Sequence, residues 1–214
     1  MYSDGANCIS AAEHTLALIL EIYKKIKYSD SLIRRGKFAD TNFERRELSG
    51  KTIGIIGVGK VGSYVVKLAK AFGIKVIAND IDIKVRRKYK NLIFRNLENI
   101  CKNCDIISLH IPLNNFNNNF ISKNKLGLLQ KDSILINTSR GKILDENYLI
   151  RLLEKKKIKY AGLDVFNSEP NINNRFFGLN NVVLTNHIAG KTIESKSKMS
   201  EEIILKIKNF YLKY

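Results

Sequence analysis

The stretch that most constrains this chain runs from Lys51 to Gly62. Lys51-Thr-Ile-Gly-Ile-Ile56 is a short apolar run of strand character, and it ends in Gly57-Val-Gly59-Lys-Val-Gly62. A helical pattern follows from Lys60 to Phe72, with Val61, Val65, Leu68 and Phe72 on one face and Gly73 placed to stop it. G-x-G-x-x-G is weak evidence by itself. Directly after a strand and opening a helix, each glycine has a task. Gly57 permits a tight turn, Gly59 lets backbone approach a pyrophosphate, and Gly62 lets the helix pack close to the strand. The helix start then offers free N–H groups and a partial positive charge to phosphate.

Downstream the alternation continues. Ile74 to Ala78 reads as a strand, Leu97 to Lys102 as a helix and Ile106 to Leu109 as a strand. Lys123 to Leu129 reads as helix, Ser133 to Asn137 as strand, Asp145 to Lys155 as helix and Tyr160 to Val165 as strand. Val182 to Leu184 is the last strand, and Thr192 to Leu212 the closing helix. Such alternation predicts an α/β fold, a Rossmann-type doubly wound parallel sheet built from right-handed βαβ units. Upstream, residues 9–27 read as one amphipathic helix. Ser10 to Glu13 has capping-box spacing, and Leu16, Ile19, Leu20, Tyr23 and Ile26 share a face. Ser29 to Gly50 is polar with little periodicity, and Asn114 to Asn119 reads as a loop. The expected organisation is a linking and dimerisation helix over 1–30, a dinucleotide-binding domain over 31–191 and a C-terminal helix over 192–214.

Asp80, at the end of the second strand, sharpens the ligand. A carboxylate there accepts hydrogen bonds from the adenosine ribose hydroxyls and repels a 2′-phosphate, so the expected cofactor is NAD rather than NADP. Lys84, Arg86 and Arg87 stand nearby and weaken that preference. The formal net charge of +17 raises the question of nucleic acid. The basic residues are scattered, however, and the densest clusters, Lys84–Lys90 and Lys155–Lys159, lack interleaved aromatics. The charge suits an anionic dinucleotide instead. No apolar run reaches membrane-spanning length, since Ile9 to Ile22 is broken by Glu13, His14 and Glu21. The three cysteines cannot build a disulfide framework, and a cytoplasmic location is expected. Cys101 and Cys104 form C-x-x-C but precede a strand, which argues against a thioredoxin-like site. No metal is expected.

From about Asn7 to its end the chain resembles the D-isomer-specific 2-hydroxyacid dehydrogenases. The matching segments are Ala12-Glu-His-Thr15, Leu48 to Gly57, Ser108-Leu-His-Ile-Pro-Leu113, Asn137-Thr-Ser-Arg-Gly141, Leu144-Asp-Glu146, Gly162-Leu-Asp-Val-Phe166, Glu169-Pro170 and Thr185-Asn-His-Ile-Ala-Gly190. Each is short, and their order and spacing together are specific. The resemblance implies an oxidoreductase that interconverts a 2-keto acid and a D-2-hydroxy acid. It assigns Arg140 to the substrate carboxylate, His187 to acid–base work and Glu169 to the carboxylate partner of His187. It further assigns the Lys60 and Val61 backbone to the pyrophosphate, Ile111, Pro112, Thr138 and Ser139 to the cofactor channel and Asp164 to the nicotinamide carboxamide. His14 reads as packing, and His110 as a binding or structural residue beside the cofactor loop.

The resemblance has two breaks. The family carries a further segment ahead of this stretch, forming most of a substrate-side domain that this sequence does not include. The chain alone is therefore expected to turn over keto acids slowly or not at all. Asn186 replaces the proline that usually precedes the histidine, which is expected to relax the turn presenting His187. The competing reading is a catalytically silent NAD-binding module with a regulatory or scaffolding role. A homodimer is expected, because the helix over residues 9–27 stands outside the alternating units and its family counterpart packs against a second subunit.

Overall fold

A computed structural model describes residues 5–38 and 44–211. Seven strands form one all-parallel sheet: β1 (Thr52–Ile56), β2 (Lys75–Asn79), β3 (Ile93–Phe94), β4 (Ile106–Leu109), β5 (Ile134–Asn137), β6 (Tyr160–Leu163) and β7 (Val182–Leu184), in the order β3-β2-β1-β4-β5-β6-β7. The helices are α1 (Cys8–Lys24), α2 (Ile26–Arg34), α3 (Lys60–Ala71), α4 (Ile83–Lys88), α5 (Leu97–Asn103), α6 (Lys123–Leu126), α7 (Glu146–Glu154) and α8 (Ile193–Tyr211). No helix among the described residues is long and apolar enough to cross a membrane.

Both sheet faces are covered, as an all-parallel sheet requires. On one side α1 and α3 bury Ile19, Ile22 and Val65 against Ile53, Ile55, Ile106 and Ile136. On the other, α5, α6 and α7 bury Ile100, Leu126 and Leu149 against Ile107, Leu109, Leu135 and Leu163. Each such side chain contributes about 1.5–3 kcal/mol of transfer free energy. The strands read as near-continuous apolar runs because neither face meets water. Asp145, expected as the first helical residue of α7, instead caps it: its carboxylate accepts the Tyr148 N–H at 2.9 Å.

The amino-terminal region departs most from expectation. The predicted helix over residues 9–27 is two helices, parted at Lys25, whose φ of 57° and ψ of 42° lie in the left-handed region. α2 then occupies part of the stretch that carries little periodicity. Ser10 does not cap α1. Asn7 takes the cap position, and the buried Ser10 hydroxyl donates to the Ala189 carbonyl at 2.6 Å. The buried face of α1 is Ala11, Ala12, Thr15, Leu18, Ile19, Ile22 and Tyr23, and Ile26 is 60% exposed. α1 does not stand outside the core; it is packed on the sheet, so its apolar face is already used. α4 and β3 went unforeseen. They are short, and α4 has no buried residue that would impose a period.

Candidate active site

The strand order reverses between β1 and β4, so the loops after these two strands diverge and open a crevice outside the carboxyl ends. The glycine turn lies there. Gly57 has φ +91°, and a Cβ on it would come within 2.7 Å of the His110 carbonyl oxygen and 2.8 Å of Ile111 Cγ2. A Cβ on Gly62 would fall 1.9 Å from the Gly57 carbonyl oxygen. The third glycine thus seats α3 on the turn itself rather than on the strand. Gly59 faces open space and is the N-cap of α3, with no side-chain cap. The start of α3 is thus uncapped by a side chain, and its helix dipole and the room above Gly59 fit a pyrophosphate.

Asp80 follows β2. Its Oδ2 accepts the Val58 N–H at 2.8 Å and its Oδ1 the Asp82 N–H at 2.9 Å. The carboxylate braces the glycine turn, and each oxygen keeps capacity to accept a ribose hydroxyl. Arg86 Nε donates to the Asp80 carbonyl at 2.6 Å, which holds the basic α4 beside it. Beneath the turn His110 is largely buried, with Nε2 2.7 Å from Ser108 Oγ. Burial pushes its pKa down to about 3, so it stays neutral. Ile111 packs on Gly57, and Pro112 is exposed on the loop beyond, its carbonyl accepting from Asn117 Nδ2.

After β7 the chain turns through His187, whose φ of 56° is left-handed and costs a residue with a Cβ about 1–2 kcal/mol. Asp164, at the end of β6, holds that conformation. Its carbonyl accepts the His187 N–H at 2.9 Å. Its Oδ1 accepts the Thr185 hydroxyl at 2.6 Å and the Ile188 N–H at 2.9 Å, and its Oδ2 the Ala189 N–H at 2.9 Å. Burial would push this carboxyl up, but these donors and the adjacent His14 outweigh it and bring the pKa down to about 2. Asp164 thus fixes the turn that follows Asn186, and its side chain has no exposed surface.

His187 and Glu169 meet directly, Nδ1 to Oε2 at 2.6 Å, with both side chains partly exposed. Glu169 Oε1 accepts the Phe166 N–H at 2.9 Å. Desolvation raises the Glu169 pKa, but the bonds from His187 and Phe166 more than offset this, so the net shift is downward. A cleft of about 420 Å³ beside the pair is lined by Phe166, Pro170, Ile172, Asn186 and Lys191. Arg140 lies on the loop after β5. Its guanidinium is exposed and donates through Nη1 to the Ser139 carbonyl at 2.6 Å; it is not in hydrogen-bonding contact with His187 or Glu169. Its loop is pressed on the segment that bears Glu169, because a Cβ on Gly141 would sit 1.9 Å from the Phe166 carbonyl carbon. Glu146 pins the same segment from α7, accepting the Asn167 N–H at 2.8 Å.

Polar residues of strand ends and of α1 complete this frame. Asn137 ends β5 fully buried, donates to the Arg140 carbonyl at 3.0 Å and accepts from Ser139 N–H and Oγ. Thr15 on α1 pairs with Thr138 at 2.8 Å, and His14 Nε2 lies 3.0 Å from Thr185 Oγ1 and 3.5 Å from Asp164 Oδ1. With Ser10 bound to Ala189, one polar stripe of α1 grips the loops of both Arg140 and His187. A buried polar residue at the end of an apolar strand was the available signal for Asn137. The α1 stripe had none, because its partners lie more than a hundred residues away. Cys101 and Cys104 are buried thiols, pushed up to about 11 and about 12 chiefly by desolvation, the opposite of the lowered pKa of an activated thiolate.

A family model described as D-isomer specific 2-hydroxyacid dehydrogenase, NAD binding domain, matches residues 16–189. The chain belongs to this dehydrogenase family. It is similar to a putative 2-hydroxyacid dehydrogenase of Staphylococcus saprophyticus, 39% identical over 200 residues, which span 92% of this chain and 63% of that protein. It is also similar to a D-3-phosphoglycerate dehydrogenase of Methanocaldococcus jannaschii, 35% identical over 205 residues, or 95% of this chain and 39% of that one. The chain thus spans less than two thirds of either relative. Among solved structures, an acyclic imino acid reductase in complex with NADPH and D-Arg superposes with a TM-score of 0.89 at 35% identity, covering 97% of this chain and 66% of that one. The dehydrogenase fold and its NAD-binding domain are present over the matched span.

Proposed function

We propose that this chain is the NAD-binding half of a dehydrogenase that interconverts a 2-keto acid and a D-2-hydroxy acid. The observation that carries the reading is the 2.6 Å bond between His187 Nδ1 and Glu169 Oε2, at the sheet edge that also bears the glycine turn. NAD supplies or takes the hydride when bound. Reduction leaves charge on the former keto oxygen, so a proton must come from the protein. With Nδ1 engaged by Glu169, His187 presents Nε2 as its free end, and the carboxylate stabilises the imidazolium that donates. Arg140 offers a forked guanidinium to the substrate carboxylate. Asp80 favours NAD over NADP by its charge. The homodimer draws support from a different surface than α1: α2 exposes Ile26 and Ile33, at 60% and 52%. Sedimentation tests it, and a monomer at micromolar concentration counts against it. Three unpaired cysteines support a reducing, cytoplasmic compartment.

The decisive experiment follows NADH oxidation with glyoxylate, hydroxypyruvate and pyruvate. It compares this chain with the chain fused to the amino-terminal segment of a relative. Turnover by the fusion is expected, and little by the chain alone, because one clamp positions a substrate less well than two. Robust turnover by the chain alone would overturn that account of the cleft.

A further inference from the structure

The amino edge of the sheet, opposite the glycine turn, holds a cavity of about 290 Å³. Ile134 and Tyr160, the first residues of β5 and β6, form its floor, and Ile22 and Tyr23 at the end of α1 form a wall. The volume is close to the lower end of small-molecule sites, about 300 Å³.

Its charges do not cancel. Glu44 is held by Arg46 at 3.0 Å and by Lys159 at 3.5 Å, Asp132 by Lys159 at 3.6 Å, and Asp105 by Lys51 at 4.0 Å. Lys25 is a fourth cation, and among the described residues no carboxylate lies within 4.0 Å of its Nζ, which stands 3.2 Å from the Tyr160 ring centroid. The hydroxyls of Tyr23 and Tyr160 also have no hydrogen-bond partner among the described residues. Three donors without a hydrogen-bond partner among the described residues therefore line a cavity with an apolar floor and one more cation than carboxylates. The backbone adds an independent sign. Lys25 joins α1 to α2 in the left-handed region, where glycine is the usual residue and any Cβ is penalised. A lysine thus stands where glycine would relieve the strain, and its side chain lines the cavity.

We propose that this cavity binds a small organic carboxylate with an apolar body, the carboxylate held by Lys25, Tyr23 and Tyr160 and the body laid on Ile22 and Ile134. An inorganic anion would use the donors and waste the floor; a neutral aromatic would leave Lys25 unpaired. Desolvation lowers the Lys25 pKa to about 8, with Glu21 raising it and Lys159 lowering it. A bound anion returns the lost stabilisation to the ammonium form, so affinity falls as pH rises past that value. Tyr23 is pushed up to about 12 by burial and by the charge of Asp105, and so remains a donor throughout. The site is distinct from the cofactor crevice yet touches the starts of β5 and β6, whose far ends lead to Arg140 and Asp164.

The test uses the chain itself, with benzoate, benzamide and inorganic phosphate as probes in calorimetry and ligand-observed NMR. Saturable benzoate binding is expected near neutral pH, weakened about tenfold or more near pH 9.5 and in Lys25→Gly, as loss of a charge-assisted bond implies. Lys25→Gly is expected to melt no lower than the parent, since glycine accepts the left-handed backbone, so the loss is not unfolding. Tyr160→Phe is expected to weaken benzoate while keeping the ring. Unchanged benzoate affinity in Lys25→Gly, benzamide or phosphate bound as tightly as benzoate, displacement of benzoate by NAD, or no saturable binding at millimolar concentration would each overturn the proposal.

Discussion

Asp164→Asn probes the frame beneath the His187 turn. The Asp164 carboxylate is fully buried and receives the Thr185 hydroxyl at 2.6 Å and the Ile188 and Ala189 N–H groups at 2.9 Å each. Burial opposes its charge, but the donors prevail, and its pKa falls from 3.8 to about 2. The folded value lies below the unfolded one, so the stabilisation is complete above the unfolded pKa and is lost as pH falls through the folded pKa. At about 1.4 kcal/mol per unit this amounts to about 2.5 kcal/mol, of which a little under half is lost by pH 3. Asparagine keeps the shape and removes the titration. Its amide also points a donor at one of the buried donors, a further cost of about 1–3 kcal/mol at neutral pH. Urea unfolding of both proteins at intervals from pH 7 to pH 3 reads both effects. All other carboxylates are shared, so the difference between the two curves isolates Asp164. The variant is expected to be less stable at pH 7, with the gap narrowing by about 1 kcal/mol by pH 3. Curves that run parallel across that range would refute the reasoning.

Asp80→Ala removes the acceptor of the Val58 N–H and the charge facing the ribose, and is expected to weaken NAD and narrow its margin over NADP in calorimetric titration; equal or tighter NADP binding by the parent would contradict the role of Asp80. Gly62→Ala places a Cβ 1.9 Å from the Gly57 carbonyl oxygen, a backbone atom that cannot swing aside, and is expected to cost about 1–3 kcal/mol in urea unfolding together with most of the NAD affinity. In an active fusion, His187→Ala is expected to abolish most keto-acid reduction while NADH binding, followed by fluorescence, persists; activity that survives the substitution means the proton comes from elsewhere.

The parts of the fold that were legible are those where burial repeats along a short stretch. β4 and β7 have the predicted bounds; in β4 a strand covered on both faces has no solvent side to interrupt its apolar run, and in β7 three consecutive apolar residues mark the strand although each is half-buried. The glycine turn was legible because its backbone demands are local: a positive φ at Gly57 and a contact between Gly57 and Gly62. The break at Lys25 was not, since Tyr23-Lys-Lys-Ile-Lys contains neither glycine nor proline and its periodicity runs on across the junction. Ser10 misled for a related reason. Its spacing to Glu13 suits a cap, yet its hydroxyl is satisfied by Ala189, on a loop 179 residues away. The identities of Arg140, Glu169 and His187 could be carried over from a resemblance, but the reason His187 holds a left-handed turn could not. That reason is one carboxylate, Asp164, collecting donors from residues that only the closed sheet brings together. Sequence motifs mark the groups that do chemistry; the groups that hold them in place are chosen by tertiary contact, and a perturbation of Asp164 therefore reports on the site more cleanly than one at the histidine itself.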